Sequence, residues 1–170
     1  MNVNSRIWLH TRNGVITDIE NADFEIPQIK EVYSWLNNKE GDIHIFENEE
    51  IMNHENFKGI KIAYLRESPA IYDYTSQHGT PHIHKWAIER QKEFDYFFSC
   101  FNYLEEIVGK KRFRYVPVGG SRIKLENYGL YEKQRNISIV ASFKKWTTGH
   151  RLRHEVIEEI GMEKVDVYGN

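Results

Sequence analysis

Between Ser142 and His154 the sequence places Lys144, Lys145, Arg151 and Arg153 beside His150 and His154, with no acidic residue among them. This local charge of about +4 stands in a chain whose formal net charge is -2. Arg151 and Arg153 are expected in the first turn of a helix over residues 148–160. There the helix dipole disfavours cations by roughly 0.3–1 kcal/mol each. A helix start attracts anions through its unpaired N–H groups. Guanidinium groups added there make sense if a phosphate is to be gripped bidentately. The competing reading is that these side chains point into water or pair with Glu155, Glu158 and Glu159 along the helix.

Other residues offer weaker chemistry. Glu67 ends an apolar run and precedes Ser68-Pro69, so partial burial there would lift its carboxyl toward a general base. Alternatively it is a loop glutamate, solvated or paired with Arg66. Gly119-Gly120 suits a turn of positive φ or a close ligand approach. With Ser68, Ser142 and His150 it completes the expected cleft. His150 and His154 lie one helical turn apart, but no third ligand has matching spacing and Arg151 and Arg153 would repel a cation; no metal and no cofactor is expected. His82 and His84 are at awkward spacing for a shared role. Tyr72, Tyr74, Trp86 and Trp146 can stack on a sugar or base, or pack locally. Cys100 is expected in the core. No G-x-G-x-x-G or Walker loop occurs, which argues against a dinucleotide dehydrogenase or nucleoside triphosphatase.

The elements that must position these residues follow from periodicity. Ile26, Ile29, Val32, Tyr33 and Leu36 recur at helical spacing behind Pro27, with Asn37-Asn38 and Gly41 closing the segment. Strands are expected over 42–46, 60–65, 96–99, 113–116, 137–141 and 165–168, and helices over 82–92, 102–108 and 148–160. Thr148 is expected to cap the last helix and Gly161 to end it. Ile71 to Pro81 reads as a loop, and the charged stretch 121–136 as an interdomain connector. Strands alternating with helices predict an α/β fold on parallel sheets, whose ligands bind beyond the carboxyl ends of the strands.

Composition narrows the function classes. Apolar residues make up 40% of the 170-residue chain and aromatics 14%, enough for a core and against wholesale disorder. Near-neutral charge argues against a general nucleic-acid binder. A single cysteine excludes an internal disulfide framework and fits a reducing compartment. No apolar run reaches the roughly 18 residues of a membrane span, and no signal peptide is visible. A soluble cytoplasmic protein with no integral membrane segment is the expectation.

Four motifs occur in an order that resembles the α-1,3/4-fucosyltransferases, glycosyltransferase family 10. They are Ile62-Ala63-Tyr64-Leu65-Arg66-Glu67-Ser68-Pro69; Phe94-Asp95-Tyr96-Phe97-Phe98-Ser99; Tyr115-Val116-Pro117-Val118-Gly119-Gly120; and Ile137-Ser138-Ile139-Val140-Ala141-Ser142 with Gly149-His150-Arg151-Leu152-Arg153-His154. Val165-Asp166-Val167-Tyr168-Gly169 resembles the family's next strand. The likeness covers roughly residues 60–170 and is closer to bacterial, phage and giant-virus members than to animal enzymes.

This resemblance implies a glycosyltransferase B fold: a Rossmann-like acceptor-side domain over 1–133, including the connector, and the first β-α-β piece of a donor-binding domain over 134–170. It implies an inverting transferase that moves fucose or a related sugar from a GDP-sugar to a glycan hydroxyl. Glu67 would be the general base, Arg151 the contact to the donor diphosphate, and Lys144 and Arg153 further phosphate contacts. Phe143 stands where the family has an asparagine. The family's main sugar-nucleotide motif has no counterpart here. The implied partners are therefore a sugar nucleotide, a glycan acceptor and a donor half supplied in cis or by a second chain, and the chain alone is expected to be inactive. The alternative is a non-catalytic, flavodoxin-like α/β binding or partner module.

Overall fold

The computed structural model describes residues 6–12, 14–16, 35–36, 41–117, 132 and 137–168. The chain divides into two compact units: Met1–Pro69 with Pro81–Arg122, and Ala70–Thr80 with Ile123–Asn170. Apart from Glu132, the expected connector lies outside the described residues, as do Gly119 and Gly120 and all of the expected 26–36 helix except Trp35 and Leu36, which are helical.

The first unit is built on a six-stranded, mostly parallel sheet, giving the α/β class. Its strands are β1 (Ile7–Thr11), β2 (Gly14–Ile16), β3 (Ile43–Glu47), β4 (Ile60–Leu65), β5 (Tyr96–Ser99) and β6 (Phe113–Tyr115). Their order is β2-β1-β3-β4-β5-β6. Only the β1–β2 hairpin is antiparallel, and β1, β3, β4, β5 and β6 run parallel. Because side chains alternate across a strand, each strand contributes to two cores. Ile7, Leu9, Ile43, Ile45, Ile62, Tyr64 and Phe98 pack on one face with Leu36, Val116 and the partly buried Trp35. The Arg114 guanidinium lies 4.6 Å from the Trp35 ring centre on that side. The opposite face carries His10, His44, Phe46, Ala63, Leu65, Phe97 and Ser99, all buried.

That second face is covered by the 3-10 helix Asn48–Asn56 and by α2 (Ile83–Glu89) and α3 (Tyr103–Val108). Phe57 packs tilted against Phe46, and Phe94 meets Phe97 edge-on and His54 at a tilt. Trp86 packs on His54 and Phe94 with Arg90 over its ring, so it is a packing residue and not a ligand platform. The sheet is pinned at its amino-terminal edge by Asp95, whose carboxylate accepts the Lys61 amide at 2.8 Å while its own amide donates to the Lys61 carbonyl at 2.8 Å. Arg112 bonds the carbonyls of Gln91 and Phe94 around the same corner. Hence the Phe94-Asp95 motif has a folding reason independent of any reaction.

Several expectations change. Residues 71–81 were expected as a loop, but Pro69–Ser76 is a helix, α1. Pro69 occupies its first position, where a missing N–H costs nothing; the proline that stops the strand also starts the helix. This helix groups with the second unit. The helix over 82–92 is shorter: α2 ends at Glu89 and a 3-10 turn, Gln91–Glu93, follows. Neither the β1–β2 hairpin nor the 3-10 helix was foreseen as such. Cys100 is only half-buried.

The described second unit contains β7 (Ser138–Val140), α4 (Thr148–Ile160) and β8 (Asp166–Tyr168), with β7 and β8 parallel. Ala141, Ile157 and Val165 form its core with Ile139 and Ile160. The α4 cap is Thr147 and not Thr148. Gly161 ends it at φ 91°, a conformation an L side chain rarely adopts.

Candidate functional site

In the first unit, the carboxyl ends of β3, β4 and β5 converge on the turn that carries Glu67. Asn48 follows β3 at φ 51°, the left-handed region that asparagine tolerates better than most residues. This turns its buried side chain so that Oδ1 accepts the amides of Arg66 at 3.0 Å and Glu67 at 3.2 Å. The Arg66 side chain pairs with Glu47, not with Glu67. From β5, the buried Ser99 hydroxyl donates to the Leu65 carbonyl at 2.7 Å and accepts the Phe101 amide at 3.2 Å.

From α2, His84 reaches the same turn. It is 1% exposed, and its Nε2 lies 2.9 Å from the Glu67 carbonyl oxygen. A carbonyl can only accept, so Nε2 carries the hydrogen. Nδ1 of the neutral ring then accepts from the Tyr103 hydroxyl at 2.5 Å. Burial pushes the His84 imidazole below its ordinary pKa, against the opposing hydrogen bond to the Glu67 backbone, and His82 adds to the lowering.

The turn is thus held through three strands and a helix, while the Glu67 side chain is exposed. The partial burial expected for that carboxylate is absent: the backbone is fixed and the side chain stands in solvent. Ser68 beside it is half-buried. The described strand order runs from β1 to β6 without reversing, so these strands create no crevice at a topological switch point.

The second unit collects the basic residues. Thr147 and His150 form a reciprocal capping box on α4: the His150 amide donates to Thr147 Oγ1 at 3.4 Å, and the Thr147 amide donates to His150 Nδ1 at 3.2 Å. Histidine here takes the place usually held by Glu or Gln. Because Nδ1 accepts, the imidazole is neutral and carries its hydrogen on Nε2. Burial, followed by the nearby Arg153, Lys144 and His154, holds its pKa below the ordinary value. With the His150 amide engaged, the first two amides of α4, those of Thr148 and Gly149, are the ones a helix start leaves open.

Arg151 is exposed and closes the first turn, its Nη2 lying 3.4 Å from Thr148 Oγ1. Arg153, also exposed, falls in the second turn and not the first. Lys144 is exposed, and its ammonium lies 4.8 Å from the Trp146 ring centre. The Trp146 ring stacks on Tyr74 at 5.6 Å and 7°, and Tyr74 meets His78 at 4.7 Å. This column of four side chains fixes the loop before α4. Tyr72 is 1% exposed and belongs to the packing. His154 donates Nε2–H to the Ser142 carbonyl at 3.0 Å, which separates its role from that of His150. Ser142 and His154 also line a cavity of about 580 Å³ with Ala141, Ile157, Met162 and Val167.

Elsewhere in the first unit His54, Glu55 and Glu93 converge. Arg90 lies 3.5 Å from both carboxylates and His54 Nε2 bonds Glu93 at 2.8 Å, so this is an ion-pair cluster that locks the 3-10 helix to the 91–93 turn. Asn48, Tyr103 and Thr147 are site residues that sequence reasoning passed over; His84 was set aside for its spacing from His82, and Gly149 was named only within a motif. Gly149, a glycine inside a predicted helix start, left a legible signal.

The sequence matches no protein-family model, no curated protein and no solved structure.

Proposed function

We propose that this chain is the acceptor-side part of an inverting, nucleotide-sugar-dependent glycosyltransferase, with the start of α4 as the diphosphate-binding element of a glycosyltransferase B fold. Gly149 carries the reading. It lies at the second position of α4 without positive φ, and a Cβ built there meets nothing nearer than Thr147 Oγ1 at 4.0 Å. Folding therefore gives no reason for glycine at a position where it weakens a helix. Close approach of a phosphate to two open amides supplies the reason, and Arg151 next to them supplies the charge-assisted grip. The neutral His150 adds one more N–H donor.

In this reading Glu67 accepts the proton of the acceptor hydroxyl as that oxygen attacks the anomeric carbon, while Arg151, Lys144 and Arg153 stabilise the departing nucleoside diphosphate. The guanine base and the fucosyl group rest on the resemblance alone. The exposure of Glu67 and the unreversed strand order favour a second reading, a binding or partner module without catalysis.

The two are separated by calorimetric titration with pyrophosphate, GDP and guanosine. The transferase reading expects pyrophosphate and GDP to bind within a few-fold of each other, guanosine not to bind, and Arg151→Ala to weaken both by roughly tenfold or more, the loss of a charge-assisted hydrogen bond. Equal, salt-like binding to the variant would remove Arg151 from the site.

A further inference from the structure

On the face of the first sheet that carries β1 and β3, two imidazoles meet away from the Glu67 turn. His10 Nε2 lies 3.1 Å from His44 Nδ1, and the residues are 5% and 7% exposed. Their walls are aromatic. His10 stacks on Phe46 at 4.5 Å and 17° and meets Phe57 edge-on at 4.4 Å; His44 lies 5.0 Å from Phe57 and parallel to Trp8 at 6.2 Å. Across the 3.1 Å contact one ring nitrogen donates and the other accepts, so the two neutral rings share a single hydrogen there.

This arrangement holds two neutral rings and tolerates little else. Protonating both rings would set N–H against N–H across that contact, and any charge gained there is gained in a buried, aromatic-walled site. We propose that the His10–His44 pair is an acid-sensitive latch, whose protonation opens the Phe57 clamp and loosens the β1–β2 edge from β3 while the rest of the sheet stays closed.

The surroundings favour the neutral form. Burial lowers both imidazoles below their ordinary pKa, and each has few opposing charges: Glu50 of the 3-10 helix for His10, and Asp42 with the Lys58 carbonyl for His44, the last offset by Lys61 of β4. Once opened, each ring titrates near 6.5, so the open population should grow about tenfold per histidine one pH unit below that value. The response is local because β1 lies next to the sheet edge, with only the three-residue β2 beyond it. The 3-10 helix keeps its independent anchor through His54 and Glu93. The latch does not depend on the reaction proposed above.

Amide hydrogen exchange on the full chain at pH 7.5, 6.5 and 5.5, corrected for intrinsic exchange, tests it. Protection in Ile7–Thr11 should fall about 100-fold between pH 7.5 and 5.5, while protection in Tyr96–Ser99 changes less than about threefold. In the doubly substituted His10→Phe, His44→Gln chain the fall in the first strand should shrink to within about threefold. Constant protection in the native chain overturns the proposal, and so does a parallel loss in both strands. Should the variant not fold, imidazole nitrogen chemical shifts of the native chain decide. Protonation of either ring in step with the loss in β1 supports the latch, and opening with both rings still neutral refutes it.

Discussion

Replacing Gly149 with alanine separates the needs of the fold from those of a ligand. The backbone there is ordinary helix, and a methyl group would meet only Thr147 Oγ1 at 4.0 Å, so no strain arises. Alanine is better than glycine in a helix interior by about 0.5–1 kcal/mol; near the helix start about half of that is realistic. For a unit of this size the gain corresponds to roughly 2–4 °C in Tm. Binding should move the other way. A Cα–Cβ bond in a helix tilts toward the amino terminus, so the new methyl would project into the space from which a phosphate reaches the Thr148 and Gly149 amides. Displacing one charge-assisted hydrogen bond costs roughly 1.5–3 kcal/mol, or about 10- to 100-fold in affinity for pyrophosphate. Scanning calorimetry with titration on Gly149→Ala reads both quantities. A variant that is more stable and binds pyrophosphate as well as the parent would refute the close-approach reasoning. A less stable variant would show that the glycine serves the fold after all.

Three further outcomes follow from the described contacts. Removing the Asn48 side chain by Asn48→Ala leaves the amides of Arg66 and Glu67 without their acceptor and places alanine at positive φ. Chemical denaturation should register a loss of about 2–3 kcal/mol, and a loss below 0.5 kcal/mol would mean the clamp is dispensable. In the α4 cap, His150→Gln should keep near-native stability because glutamine serves the same reciprocal box, whereas Thr147→Ala should lose about 1 kcal/mol; equal losses would contradict the box. The third outcome is pH dependence. Burial lowers His10, His44 and His84 in the folded state, so the unfolded chain binds their protons first. Stability from these groups is complete above pH 6.5 and is lost as pH falls below it toward the lowered values, at up to about 1.4 kcal/mol per pH unit for each histidine. Urea midpoints that hold constant from pH 7.5 to 5.5 would mean that the three rings titrate alike in the folded and unfolded chain, which contradicts the lowered pKa values.

The α/β class and several strands were legible because buried parallel strands are continuous apolar runs. Residues 60–65 and 96–99 emerge with the expected bounds, and α4 spans 148–160 as periodicity and Gly161 indicated. What escaped notice depends on partners distant in sequence. Pro69 gave no sign that it starts α1, because that effect needs a helix to follow. His84 looked ill-placed beside His82 because its partners, Glu67 and Tyr103, lie 17 and 19 positions away. Asn48 gives no sign of its left-handed backbone. For Glu67, position after the strand was readable but exposure was not, since burial depends on what packs over the turn. The basic residues of 142–154 were visible from charge alone. Their division into a capping histidine, a lysine over Trp146 and two exposed arginines required the geometry.

The central claim is that the start of α4 holds a diphosphate, and backbone amide chemical shifts during a pyrophosphate titration test it residue by residue. Saturable shifts concentrated at Thr148, Gly149 and Arg151, with the His150 imidazole staying neutral, are the predicted result. Shifts spread over all the exposed lysines and arginines, growing without saturation as they would with chloride, would contradict it.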